Sequence, residues 1–124
     1  MAWFEAHDTL PNHRKTLRLA RPIKTGKTDA KFEAIGVLWC LFAWALTAAD
    51  KDGKLPGVTG EDIAAAVGWT RKVDLAAALV DAGYLEQHDD GVYAIHDWHD
   101  YAGRLIDQRA ANRERQKRYR NGKE

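Results

Sequence analysis

The sequence predicts a mainly α fold with a small β-hairpin, a winged helix-turn-helix with additional N- and C-terminal helices. Three observations predict it. Within residues 50–98, two short helical patterns flank the turn pair Gly68-Trp69. Gly83 closes the second of them, and two β-prone runs at 84–87 and 92–95 follow around Asp89-Asp90-Gly91. Longer apolar-periodic stretches lie on both sides of this block, which adds helices before and after it.

The elements follow in order. Trp3-Phe4 is a short apolar start, read as an edge strand or a plug for the core. A first helix is expected near residues 10–20, with Leu10, Leu17 and Ala20 on one side and Arg14, Arg18 and Arg21 in an i, i+4, i+7 row on another. Arg21-Pro22 should end it, because the residue before proline resists the α region. A second helix at about 29–49 carries a core stripe of Ile35, Leu38, Phe42, Ala45 and Leu46. Val37, Trp39, Leu41 and Trp44 widen that stripe, so this is expected to be the central helix, surrounded by others. Asp50-Lys51-Asp52-Gly53 reads as a turn; the later ligands and terminal glutamate of a calcium loop do not follow it.

Thr59 or Gly60 should cap the third helix, with Glu61 and Asp62 near its positive end and Ile63, Ala64 and Val67 facing inward. Thr70 is expected to cap the fourth, whose apolar face is Val73, Ala76, Ala77, Leu79 and Val80. Residues 88–91 turn the hairpin, Gly91 supplying a positive φ. The last helix starts near Asp97. Trp98, Tyr101, Ala102, Leu105 and Ile106 follow i, i+3, i+4, i+7, i+8, so its first half docks on the core. Beyond Ile106 large apolar residues nearly stop, and the expected division is a body at 1–106 and a basic helical arm or linker start at 107–124.

At 124 residues with 45% hydrophobic content, one domain with a packed core is expected. The lone Cys40 excludes an internal disulfide and sits in an apolar run, where a packing role is expected. The opening MAWFEAHD is acidic and lacks the apolar region of a secretory leader. The longest apolar run, 34–49, is shorter than the ~20 residues that span a bilayer. These readings predict a cytoplasmic protein without a membrane partner.

The net charge of +1 hides an uneven distribution. Residues 1–49 carry seven basic and four acidic side chains, residues 50–103 four and eleven, and residues 104–124 eight and three. The termini are therefore basic, at +3 and +5, around a middle of −7. Such asymmetry speaks to partners rather than to fold.

The stretches AWFEAHDTLPNHRKTLRLA, VLWCLFAWAL, DGKLPG, DIAAAVGW, ALVDAGYLE and IHDWHDYAGRLIDQR, taken in this order, resemble the N-terminal domains of phage and prophage replisome organisers, DnaD-like replication-initiation proteins. The resemblance extends over nearly the whole chain. It implies a winged helix-turn-helix that helps to start phage DNA replication by marking an origin and recruiting a helicase or its loader. It implies no catalysis. Longer relatives carry a second, helical domain after a basic linker, which would begin where this chain ends.

Three groups are candidate DNA contacts. In a helix-turn-helix the second helix enters the major groove with its N-terminal residues foremost, which points to Thr70, Arg71 and Lys72, followed by Asp74. Asp89 and Asp90 at the wing tip would repel phosphates. The C-terminal row Arg109, Arg113, Arg115, Lys117, Arg118, Arg120 and Lys123 is the stronger electrostatic case, since neutralising several phosphates gives salt-dependent, sequence-independent affinity. Arg14, Lys15, Arg18 and Arg21 extend that surface if the first and last helices lie side by side.

His96, His99 and Asp100 do not complete a metal-ligand set, and structural or capping roles fit them better, with Asp97 as the N-cap of the last helix. The five tryptophans read as core, Trp69 being the one expected to be partly exposed. KTGKT lacks the spacing of a phosphate loop, and no catalytic constellation is found, so neither enzyme activity nor a cofactor is expected. Two other functions remain open: a protein-interaction or homo-oligomerisation domain, and a winged-helix transcriptional regulator.

Overall fold

The computed structural model describes Phe4 and residues 13–23 and 30–122, except for the side chain of Arg104. Leu10, Trp3, Lys24, Lys27 and Lys123 fall outside the described residues. The chain is mainly helical with a small antiparallel sheet. Its elements are α1 (Arg14–Ile23), α2 (Ala30–Ala48), β1 (Lys54–Leu55), α3 (Gly60–Val67), α4 (Leu75–Ala82), β2 (Leu85–Gln87), β3 (Tyr93–Ile95) and α5 (Trp98–Gly122).

The core forms around α2. Ala34, Val37, Leu38, Leu41, Phe42, Ala45 and Leu46 are buried along it, and α1 and α3 pack against it. By length and composition this helix could also cross a membrane. It is not enclosed on every side, however. Phe32 is 66% exposed and Trp39 60% exposed, while Ile35, Trp44 and Cys40 are half-buried. The expectation of a central helix surrounded by others is corrected to that extent: among the described residues, α1 and α3 leave part of its surface open. Trp69 is partly exposed, as expected, and among the described tryptophans Trp39 is more exposed still.

α1 runs to Ile23, two residues beyond the expected stop, with Pro22 inside its last turn. There the missing proline N–H removes only one intrahelical bond. Its buried face is Thr16, Leu19, Ala20 and Ile23, and Leu17, grouped with Ala20 from the sequence, is 42% exposed. The buried Thr16 hydroxyl is satisfied by the Tyr84 phenol at 2.6 Å, which joins α1 to the end of α4. A buried hydroxyl without such a partner would be costly.

Thr59 caps α3 through a capping box with Asp62, and Gly68 ends the helix in the left-handed conformation. Ile63 is fully buried, while Ala64 and Val67 are half-buried. α4 begins later than expected. Its N-cap is Asp74, whose side chain accepts from the Ala77 amide. Thr70 therefore does not cap it. The Trp69 indole N–H donates to the Val73 carbonyl at 2.9 Å, which holds residues 70–73 as a turn rather than a first helical turn. Val73 stands outside the helix and is 38% exposed.

The hairpin forms with Leu85 opposite Ile95 and Gln87 opposite Tyr93. β1 completes a three-stranded sheet in the order β1-β3-β2, Lys54 pairing with Ala94. This strand was not foreseen; two residues are too few to show alternation. The turn before it is built by Asp50, whose Oδ1 accepts the amides of Asp52 and Lys54, both at 2.9 Å. α5 docks through Trp98, Ala102 and Leu105, and its Tyr101 ring stacks on Phe42 with centroids 4.2 Å apart. Asp97 precedes it with φ 53, and its carboxylate lies 3.3 Å from His96 Nε2.

Candidate nucleic-acid interface

The turn between α3 and α4 holds the expected reading residues, and the structure engages the most basic of them elsewhere. Arg71 Nη1 donates to Glu33 Oε2 at 2.8 Å and Nη2 to Glu33 Oε1 at 3.3 Å, a two-pronged pairing across to α2. Nη1 also reaches the Ile23 carbonyl at the end of α1, at 3.4 Å. The guanidinium lies over the Trp69 ring, 5.0 Å from its centroid. The Glu33 hydrogen bond pushes the pKa of Arg71 further up, so the guanidinium is charged at any ordinary pH. Arg71 is thus a tie among α1, α2 and the turn, with its side chain still 42% exposed.

Thr70 and Lys72 are exposed in the same turn, ahead of α4 and not on it. α4 itself offers little to a base. Its fully exposed residues are Ala77 and Asp81, a methyl and an anion. A helix that reads the major groove needs donors such as Arg, Asn or Gln on that face. The hairpin tip is likewise unsuited. Asp89 and Asp90 are exposed, and Asp90 Oδ1 accepts the Val92 amide at 3.0 Å.

The N-terminal basic row divides. Arg14, Arg18 and Arg21 are exposed on α1. Lys15 turns inward, its Nζ donating to the Gly83 carbonyl at 3.3 Å and lying 5.9 Å from the Tyr84 ring centroid. It sits at the negative end of α4, where a cation is favoured. α1 packs on α2 and α4 and makes at most a marginal contact with α5 among the described residues. The two basic helices are therefore not built into one packed surface.

The arm is the largest exposed basic element. α5 continues as helix to Gly122, and beyond its core-docked first turns every residue from 107 to 122 is exposed. Residues 107–122 would extend for about 24 Å and carry six basic side chains against Asp107 and Glu114. Arg109 anchors the root, donating to the Leu46 carbonyl in the last turn of α2 at 3.4 Å. Arg118 lies 3.9 Å from Glu114 one turn back. Arg113, Lys117 and Arg120 continue the face that Arg109 begins, and Arg115 bonds to the Asn112 side chain. Sequence reasoning found the cations but missed Asn112, Gln116 and Tyr119, which line a shallow concavity with Arg115 and Arg120. Their i, i+4, i+7 spacing was the available signal.

In comparisons with family models, characterised proteins and solved structures, the chain matches none. Geometry and charge must carry any functional reading. Among the described residues no group of His, Cys, Asp or Glu has a metal-holding arrangement. His96 instead pairs with Glu86, Nδ1 to Oε1 at 2.5 Å, which bridges β2 to the start of α5.

Proposed function

We propose that this chain is a non-enzymatic DNA-binding module of a phage-type replication-initiation system, with a winged helix-turn-helix body and α5 as its DNA grip. One observation carries the reading: an exposed helix with six basic side chains and two acidic ones projects from an otherwise acidic body. Cations on a rigid rod can neutralise several phosphates at once, which releases counterions and drives binding. The order α3, turn, α4, β2, β3 supports the winged body. The resemblance to replisome organisers supports the replication role, with a helicase or its loader as a partner.

The decisive experiment is binding to random duplex DNA across a salt series. A log–log slope of about −4 to −5 is expected if some five phosphates are neutralised. A chain ending at Ile106 should lose that affinity. Retained affinity in the shortened chain would sink the assignment of the arm.

A second reading rests on Phe32 and Trp39, which stand exposed on α2. Together with the acidic body they favour a docking or self-association surface. Trp39→Ser would then reduce partner binding or oligomerisation and leave DNA affinity unchanged.

A further inference from the structure

The side chains of the arm are sorted around its axis in a way that total charge does not reveal. Arg109, Asn112, Arg113, Gln116 and Arg120 recur at i, i+3, i+4, i+7 and i+11 and so share one face of α5. Asp107, Ala110, Ala111, Glu114 and Arg118 lie on the opposite side. There Arg118 faces Glu114 at 3.9 Å and Asp107 lies 3.8 Å from His99 Nε2. The back of the arm is close to neutral. Its front combines amides with guanidinium groups, and Lys117 and Arg115 flank it on either side.

We propose that this front face enters the major groove of double-stranded DNA, with Asn112 and Gln116 against base edges and the flanking cations on the two phosphate rows. The inference rests on the reading of α5 as a DNA grip and specifies what that grip recognises. The dimensions fit. An α-helix with side chains is about 10–12 Å across, and the major groove of B-form DNA is about 12 Å wide. Side-chain amides match adenine, donating to N7 and accepting from N6, and arginine matches guanine. The Asn112 carbonyl oxygen accepts from Arg115, and its second lone pair and the amide N–H groups remain for an adenine edge.

The same face discriminates among nucleic acids. Single strands are gripped by stacking on successive aromatic rings, and residues 107–122 contain one aromatic side chain, Tyr119. Double-stranded RNA has a major groove too deep and narrow for side chains to read. At 3.4 Å per base pair, an arm of about 24 Å limits the contacted site to roughly seven base pairs.

The test is selection of binding sites by the full chain from a random duplex DNA library, repeated with the double variant Asn112→Ala, Gln116→Ala. Both positions are exposed, and alanine favours helix there. The parent should enrich a site of no more than about seven base pairs and bind it roughly tenfold or more tighter than unselected duplex. The variant should lose that preference while its affinity for unselected duplex changes less than about twofold. Methyl green, which occupies the major groove, should displace the protein at concentrations where distamycin, in the minor groove, does not.

Three results would overturn the proposal: no enriched site although random duplex is bound, an unchanged preference in the variant, or equal affinity for single strands or double-stranded RNA. Each leaves the arm as a phosphate grip. Absence of duplex binding altogether would remove the grip reading and the groove reading together.

Discussion

Arg71 reaches from the α3–α4 turn to Glu33 on α2, with its guanidinium nitrogen 2.8 Å from the carboxylate. This contact ties the α3–α4 turn to α2. A cation that looks available for DNA is held between helices, and it steadies a turn that contains no other arginine. Arg71→Ala is therefore expected to lower the melting temperature and to change affinity for random duplex by less than about twofold. Glu33→Ala should lower the melting temperature similarly, and the double variant should be no worse than either single one. Loss of DNA binding at an unchanged melting temperature would return the turn to the interface.

The Thr16–Tyr84 hydrogen bond makes a prediction about stability. Thr16 is fully buried, and its hydroxyl meets the phenol at 2.6 Å. Thr16→Val leaves a buried phenol without this partner and should cost about 1–3 kcal/mol in urea unfolding. Tyr84→Phe alone should be similar. Combining them should recover part of the loss, because no polar group of the pair then remains buried.

The tyrosines also set an alkaline limit. Burial beside Phe42, with smaller contributions from Tyr84, Asp97 and Asp100, pushes Tyr101 up to about 12. Burial pushes Tyr84 up too, partly opposed by its bond to Thr16. The folded state therefore holds these protons more tightly than the unfolded chain, whose phenols titrate near ~10. The stabilisation is fully present below that value and is lost as pH rises through about 12. Tyr101→Phe should flatten that decline, measured by urea unfolding as the pH is raised through the phenol range.

Gly53 is a point of close approach. Its φ is +83, and a Cβ there would lie 2.6 Å from the Trp98 Cβ. Its carbonyl accepts the Ile95 amide at 2.8 Å, which holds β1 to β3. Gly53→Ala should destabilise the fold by roughly 2–4 kcal/mol, combining backbone strain with displacement of Trp98. A fully folded variant with unchanged urea midpoint would contradict this packing.

The arm is expected to behave additively. Arg113→Ala, Lys117→Ala and Arg120→Ala should each weaken duplex binding and reduce the salt slope by about one. Arg109→Ala should also lower the melting temperature, because this side chain joins α5 to the end of α2. Calorimetry together with the salt series separates the two effects.

Much of this was legible in the sequence because it depends on local rules. The cap at Thr59, the glycine turn at 68, the glycine stop at 83 and the docking period from Trp98 to Ile106 each involve residues within a few positions of one another. The two-residue β1 was not legible, since its strand character comes from a partner forty residues away. The start of α4 was misread for a related reason. Thr70 and Asp74 are both good caps, and the choice between them was made by the Trp69 indole and by the pull of Arg71 toward Glu33.

The candidate interface divides along the same line. Sequence alone determined that positive charge gathers at the ends and negative charge in the middle, because charge is a property of composition. It also determined that α5 would outrun its apolar face, because periodicity shows where docking stops. Only the tertiary structure decided which cations remain available to a partner. Arg71 is paired with Glu33, Lys15 with the end of α4 and Arg109 with the end of α2, whereas Arg113, Lys117 and Arg120 stay in water. The physical reason is reach: long cationic side chains find carboxylates and helix C-termini brought close by folding, and sequence distance does not encode those meetings.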